Sequence, residues 1–365
     1  MNTSKFSLSL GLHRFSCFAL VLLLSLFGEV VQAKDKVVVV STTIQAAVDA
    51  ANAGDTVRVP PGLYHENVLV TKNNITIKGS PDAILDGTGL PGDSGITVRS
   101  STPSLRIKEF TLTGLRIQNY SGNGVILIRV DKFQIDDGQY VNNDQYGIFP
   151  ILSSHGRVEF NQVSGSNDTG IYVGQSEDID VSQNSSSNCT IGIEVENSSR
   201  ISVTENKATG NSLGVVVVVL PGLDVTATRE VKVKNNILNR NNRPNPVTDP
   251  TDILSRLPSG VGLAIVGGDR VVAEQNQAVH NDSGGIGVIQ LPPDLVALDP
   301  RINPLPDHDK IRENVVISNG RNPDPKLLAL GVQGADLIWD SSGTGNCWGD
   351  NVYKTSFPTP LPDCP

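Results

Sequence analysis

The chain has 365 residues, of which 38% are hydrophobic, 18% charged and only 5% aromatic. Its formal net charge of −9 argues against general binding to nucleic acid or to an anionic membrane surface. With 35 glycines, 22 prolines and few aromatics, it is a poor match to a helical bundle and falls short of a disordered composition.

The first element in chain order is an export signal over residues 1–33. Lys5, His13 and Arg14 precede the apolar run Phe18–Phe27, and Val31-Gln32-Ala33 offers small residues for cleavage. The run of about ten residues is too short to span a bilayer, which needs roughly 20. The expected protein is therefore exported, periplasmic or extracellular, with no membrane span after cleavage. Cys17 lies in the signal. Cys347 and Cys364 bracket a Pro-rich tail and are the candidate disulfide, which an exported protein permits. Cys189 reads as a small buried apolar residue.

After the signal, Thr43–Ala53 reads as a short amphipathic helix ending near Gly54. Thr56–Val59 and Val68–Val70 then begin a sheet. From Gly124 a repeat sets in. Glycines that open short alternating strands fall at Gly124, Gly147, Gly170, Gly192 and Gly214, spaced 23, 23, 22 and 22 residues apart, and continue at Gly262 and Gly285. A second strand in each unit ends on asparagine, at Asn161, Asn184, Asn206, Asn236 and Asn276. Two short strands per unit, with period-two alternation and no crossover helix, fit one coil of a stacked parallel solenoid. The asparagines suit a ladder, since a turn Asn tolerates left-handed backbone and bonds its neighbours.

The predicted fold is all-β: a right-handed, single-stranded parallel β-helix over 34–335, with a short N-terminal capping helix and a C-terminal cap or tail over 336–365. The segment Thr43–Gly79 resembles the opening of right-handed β-helix proteins of the pectin-lyase-like superfamily. The stretch from about 95 to 320 resembles the parallel β-helix repeats of the same superfamily. Tyr146-Gly-Ile-Phe-Pro, Gly170–Ser176, Gly192–Asn197 and Leu220-Pro-Gly-Leu223 look like an exported bacterial branch of such repeat proteins. This resemblance implies the fold; it does not specify a reaction.

Aligning the units on their glycines places Ile126, Phe149, Tyr172, Glu194, Val216 and Ala264 in one outward column. Ile128, Ile151, Gly174, Glu196, Val218 and Val266 form another. A third position holds Arg129, Leu152, Gln175, Asn197, Val219 and Gly267. So apolar an outward face calls for a cover or a ligand. The Pro-rich insertions 240–259 and 291–310 are candidates to cover it, or are surface decoration.

Glu194 and Glu196 share this face, with Cβ atoms roughly 6.5–7 Å apart. Three readings stand. The pair is catalytic, with one carboxyl raised by its neighbour and the apolar surroundings. It is solvated and keeps the sheet soluble. Or it binds Ca²⁺ with nearby amide oxygens. In the catalytic reading Tyr172 is a sugar platform, Gln175 and Asn197 bond the substrate, and Asp168 borders the site. His155 with Arg157, as base and anion clamp, and Asp307-His308-Asp309, as a metal site, are weaker candidates; each also reads as solvated or turn residues.

Tyr146-Gly-Ile-Phe-Pro-Ile-Leu152 resembles the site segment of alginate C5-epimerases, Tyr-Gly-x-Asp-Pro-His-Asp. Phe149, Ile151 and Leu152 stand where that pattern has Asp, His and Asp, so its catalytic groups are missing there. The Asn-Thr-Asp, Asp-pair and Gly-His-Gly set of polygalacturonases is not found, and Arg129 is the only cation on the face where a pectate lyase carries several. A Cu(I) role is disfavoured, because Met1 is the only methionine. The sequence-based expectation is an exported β-helix protein that binds, and cleaves or modifies, a polysaccharide along this sheet. The alternative is a non-catalytic envelope scaffold that docks another protein.

Overall fold

The computed structural model describes residues 36–365; the expected signal, Cys17 included, lies outside the described residues. The chain winds as a parallel β-helix. Its strands stack into sheets of twelve, eleven and seven members, with a further two-stranded ladder, and every strand pair is parallel. One coil contributes a strand to each large sheet in turn, as with Thr169–Gly174, Glu177–Ser182 and Ser185–Ser187.

Inward residues stack in columns. Ile148, Ile171, Ile193, Val215, Leu263, Ile286 and Leu337 succeed one another along the eleven-stranded sheet and all have zero exposure. No coil can bury such a face alone, so each depends on its neighbours. The repeat glycines stack as well. A Cβ on Gly147, Gly170, Gly192, Gly214 or Gly262 would run into the carbonyl oxygen of the next glycine in the column. The glycine that marks the repeat is therefore demanded by coil-to-coil approach.

The expected asparagine ladder is present. Asn184 Oδ1 accepts from the Asn161 backbone N–H at 2.9 Å, Asn206 Oδ1 from Asn184 at 2.9 Å and Asn236 Oδ1 from Asn206 at 2.8 Å. The series runs on through Asn276 and Asn314 to Asn351. A second ladder, Asn211, Asn241, Asn281 and Asn319, follows the turn one strand later. Buried Cys189 heads it, donating its N–H to Asn211 Oδ1.

The expected N-terminal helix spans Ile44–Ala50. Thr43 caps it, and Ile44, Ala47 and Val48 are buried. At the other end Ala335–Trp339, Cys347–Gly349 and Ser356–Phe357 add strands to the sheets. The first of these runs across the expected boundary at 335/336, so residues 336–365 continue the solenoid. A disulfide joins Cys347 to Cys364. Among the described residues no helix is long and apolar enough to cross a membrane.

Candidate carboxyl site on the eleven-stranded sheet

The outward columns of the eleven-stranded sheet follow the register read from the glycines. Tyr172 pairs with Glu194, Glu194 with Val216, Val216 with Ala264 and Ala264 with Gly287. Gly174 pairs with Glu196 and Glu196 with Val218. The third position differs from expectation. Arg129, Leu152, Gln175 and Asn197 have φ between 44° and 56°, a left-handed corner where the chain leaves the sheet. Gln175 Oε1 accepts from the backbone of Asp224 at 3.0 Å, and Asn197 bonds both the carbonyl and the N–H of Leu220. Their amides hold the loop after the next strand, rather than facing an open groove.

Glu194 and Glu196 are 6% and 8% exposed. Tyr172 folds over Gly174, whose missing Cβ leaves room for the ring. Its hydroxyl favours the ionised form of Glu196, against the larger effect of burial. The Tyr146 hydroxyl favours the ionised form of Asp168 in the same way. Tyr146, Phe149 and Tyr172 pack together with ring centroids 4.5–4.9 Å apart. Asp168 and Glu194 both approach one hydroxyl: Thr169 Oγ1 lies 3.0 Å from Asp168 Oδ1 and 2.8 Å from Glu194 Oε2. A hydroxyl has one proton to donate. It cannot satisfy two ionised carboxylates, so the arrangement calls for a further proton on one of the acids.

Burial accounts for the same result. Desolvation lifts Asp168 to about 6 and Glu196 to about 7. Glu194 is raised well above its ordinary value, first by burial, then by Glu196 and Asp168. Burial and these acids push both tyrosine hydroxyls up. The cluster therefore holds protons near neutrality, and its members titrate together.

The insertions supply the cover. Leu254 and Leu257 from the first, and Leu291, Leu295, Val296 and Ile302 from the second, pack on Val216, Val218 and Val261 of the sheet. Arg256 bridges the two insertions through Asp294 at 2.8 Å. The second insertion also grips the loop that Asn197 holds: Asp299 accepts from Gly222 and Arg301 donates to Leu223. This loop, Leu220–Thr228, was missed as a covering element, although Pro221-Gly222 punctuates the sequence there.

The weaker candidates lie elsewhere. His155 and Arg157 belong to Ser154–Glu159 on the twelve-stranded sheet, with His155 Nδ1 2.8 Å from Asp131. Asp309 is a buried ladder residue that accepts from Val271. Among the described residues no group of three His, Cys, Asp or Glu is arranged to hold a metal ion.

A family model described as "Right handed beta helix region" matches residues 62–220 and, overlapping, 141–296. The chain belongs to this right-handed β-helix family. No curated protein matches it. The fold is similar to that of the mannuronan C-5 epimerase A-module of Azotobacter vinelandii, at 15% identity and TM-score 0.63, over 87% of this chain and 95% of that one. It is also similar to DFA-IIIase from Arthrobacter chlorophenolicus A6, at 14% identity and TM-score 0.53, over 87% and 92%. A third relation is to a periplasmic alginate epimerase, at 15% identity and TM-score 0.52, over 81% and 73%. At these identities the likeness is one of fold.

Proposed function

We propose that this exported β-helix protein binds a polysaccharide along its eleven-stranded sheet and cleaves or modifies it by acid–base chemistry at Glu194 and Glu196. The observation that carries this reading is the cluster of acids whose proton affinities are lifted into the neutral range. Acid–base catalysis works best with groups that titrate near the working pH. Glu194, protonated, is the proton donor. Glu196, titrating at about 7, is the base once ionised. Asp168 and Thr169 hold the proton on the Glu194 side, while Tyr172 positions Glu196.

The sugar chain runs over the half-buried outward residues Thr97, Ile126, Ile128, Phe149 and Ile151, which no insertion covers. It reaches the acids past Tyr146 and Phe149, half-buried aromatic surfaces suited to sugar rings; Tyr172, expected as a sugar platform, is buried beneath them. Structural neighbours include proteins named as epimerases of mannuronan and alginate, which supports a carbohydrate substrate. The Cys347–Cys364 disulfide supports work outside the cytoplasm, in the periplasm or beyond, after removal of residues 1–33.

One observation favours the second reading, a non-catalytic envelope scaffold. The acids are nearly buried, and Glu194 already has a partner inside the protein, the Thr169 hydroxyl. Proton NMR of acidic and neutral polysaccharides incubated with residues 34–365 separates the two. New anomeric or unsaturated-sugar signals, lost in Glu194→Gln and Glu196→Gln while binding persists, establish the enzyme. Unchanged spectra with no line broadening across the panel leave the scaffold.

A further inference from the structure

Beside Glu194, partly roofed by the insertions, lies an apolar pocket of about 160 Å³. The sequence carves it. Along one outward column the side chains shrink from Val216 to Ala264 to Gly287, then grow again at Ile338. All four border the space, with Leu254 and Leu295 of the two insertions lining its other side. Gly287 is the telling member. It lies inside the strand Gly284–Ile289, where glycine weakens a sheet. Neither left-handed backbone nor crowding requires it: its φ is not positive, and a Cβ there would find only Ile338 Cβ, at 3.9 Å. The repeat glycines are all crowded by the next coil; this one faces empty space.

We propose that this cavity is a binding site for a compact hydrocarbon group of about six carbons, carried as a substituent on a ligand or free. A dry apolar void of roughly 150 Å³ is large enough to hold benzene. The lining offers a sugar almost nothing to bond: Glu194 and Arg256 are its only charged side chains, and Arg256 is paired with Asp294 at the rim where the insertions meet. A hydroxylated ring placed here would leave its polar groups unpaired. A hydrocarbon loses only water. The inference stands on the cavity and holds whether or not the neighbouring acids turn over a polysaccharide.

The test titrates residues 34–365 with hexan-1-ol, and separately with benzene, following the methyl signals of Ala264 and Ile338 by NMR; glycerol is the control. Saturable shifts at those methyls, with a dissociation constant on the order of 1 mM, are expected for at least one hydrocarbon and not for glycerol. Gly287→Leu fills the void and should weaken that binding at least tenfold, while melting at or above the temperature of the unmodified chain. Ala264→Leu fills it from the adjacent coil and should do the same if the first variant fails to fold. No saturable shift with either hydrocarbon, or unchanged affinity in a folded filling variant, overturns the proposal. Polysaccharide activity is a separate readout, so its absence leaves this result standing.

Discussion

Two halves of one sheet share backbone and register but meet different surroundings. Over Val125–Ile151 burial alternates along each strand, inward residues buried and outward ones half-buried. Over Thr169–Val218 every residue of three successive strands is buried, outward ones included. The strands themselves do not cause this. The second half lies under two insertions and a loop, tied together by Asp299, Arg301 and the Arg256–Asp294 pair. The acids stand at the seam. A glutamate on the open half would keep its water and its ordinary proton affinity; under the cover it loses both. Chemistry in a solenoid thus depends on where the irregular segments land, as much as on which residue faces outward.

The largest test of this contrast is the pH dependence of stability. Glu196 is raised from 4.5 to about 7 in the folded protein. Between those values the unfolded chain releases this proton while the folded one keeps it. The stabilisation is thus full below about pH 4 and is lost as pH rises to about 7. The loss amounts to about 3 kcal/mol for Glu196 alone. Urea unfolding at pH 4, 6 and 8 should show the decline in the unmodified chain and a shallower one in Glu196→Gln, which gains stability at pH 8. Ile128→Gln, on the open half, should leave the decline intact. A Glu196→Gln variant that declines as steeply as the parent would place water around this acid and erase the contrast.

A smaller effect is expected at Tyr172. Its hydroxyl favours the ionised form of Glu196. Tyr172→Phe keeps the ring on Gly174 and removes the hydroxyl, at a cost of about 1 kcal/mol at pH 8. It should also move the Glu196 titration upward, which carbon-13 NMR of the carboxyl follows directly. Loss of the hydroxyl at pH 4, where Glu196 is already protonated, should cost less. Equal costs at the two pH values would mean that the phenol does not serve the carboxylate.

The regular parts of this molecule were legible because close packing writes them into the sequence. The glycines at 22–23-residue spacing are those that the next coil's carbonyl crowds, and the asparagines are those that bond along the ladder. Register followed from these, and with it the neighbours Tyr172, Glu194 and Glu196. The state of the acids was not legible. Ile191-Gly-Ile-Glu-Val-Glu196 reads equally as a half-solvated strand, since its own alternation carries no trace of a cover supplied from residues 220–228, 240–259 and 291–310. The roles of Gln175 and Asn197 were missed for a related reason. Counting by twos fails where left-handed corners end the strand, so both were placed on the face and not at its edge. Gly287 lies in the alternating run that Gly285 opens, and only the space around it distinguishes it from the crowded repeat glycines.

The smallest expected effect concerns the cover itself. Arg301 is mostly exposed, so its contacts are screened and add little to global stability. It does hold the carbonyl of Leu223, and beside it Asp299 holds the N–H of Gly222. Arg301→Ala should therefore leave the unfolding midpoint unchanged within error, yet speed amide hydrogen exchange in Leu220–Thr228, with no change in Val125–Ile151. Local opening of a covering segment costs far less than global unfolding, and exchange reports it where a melting curve does not. The Asn197 and Gln175 bonds to the same loop remain in the variant, so the increase should be greatest around Gly222 and Leu223 and fade toward Val225. Uniform acceleration of the whole loop would mean that the second insertion, and not the strand corner, is its main anchor. The boundary between the open and covered halves would then be set by residues 291–306 of that insertion, which lie outside the strands and can be redesigned with the ladder residue Asp309 left in place.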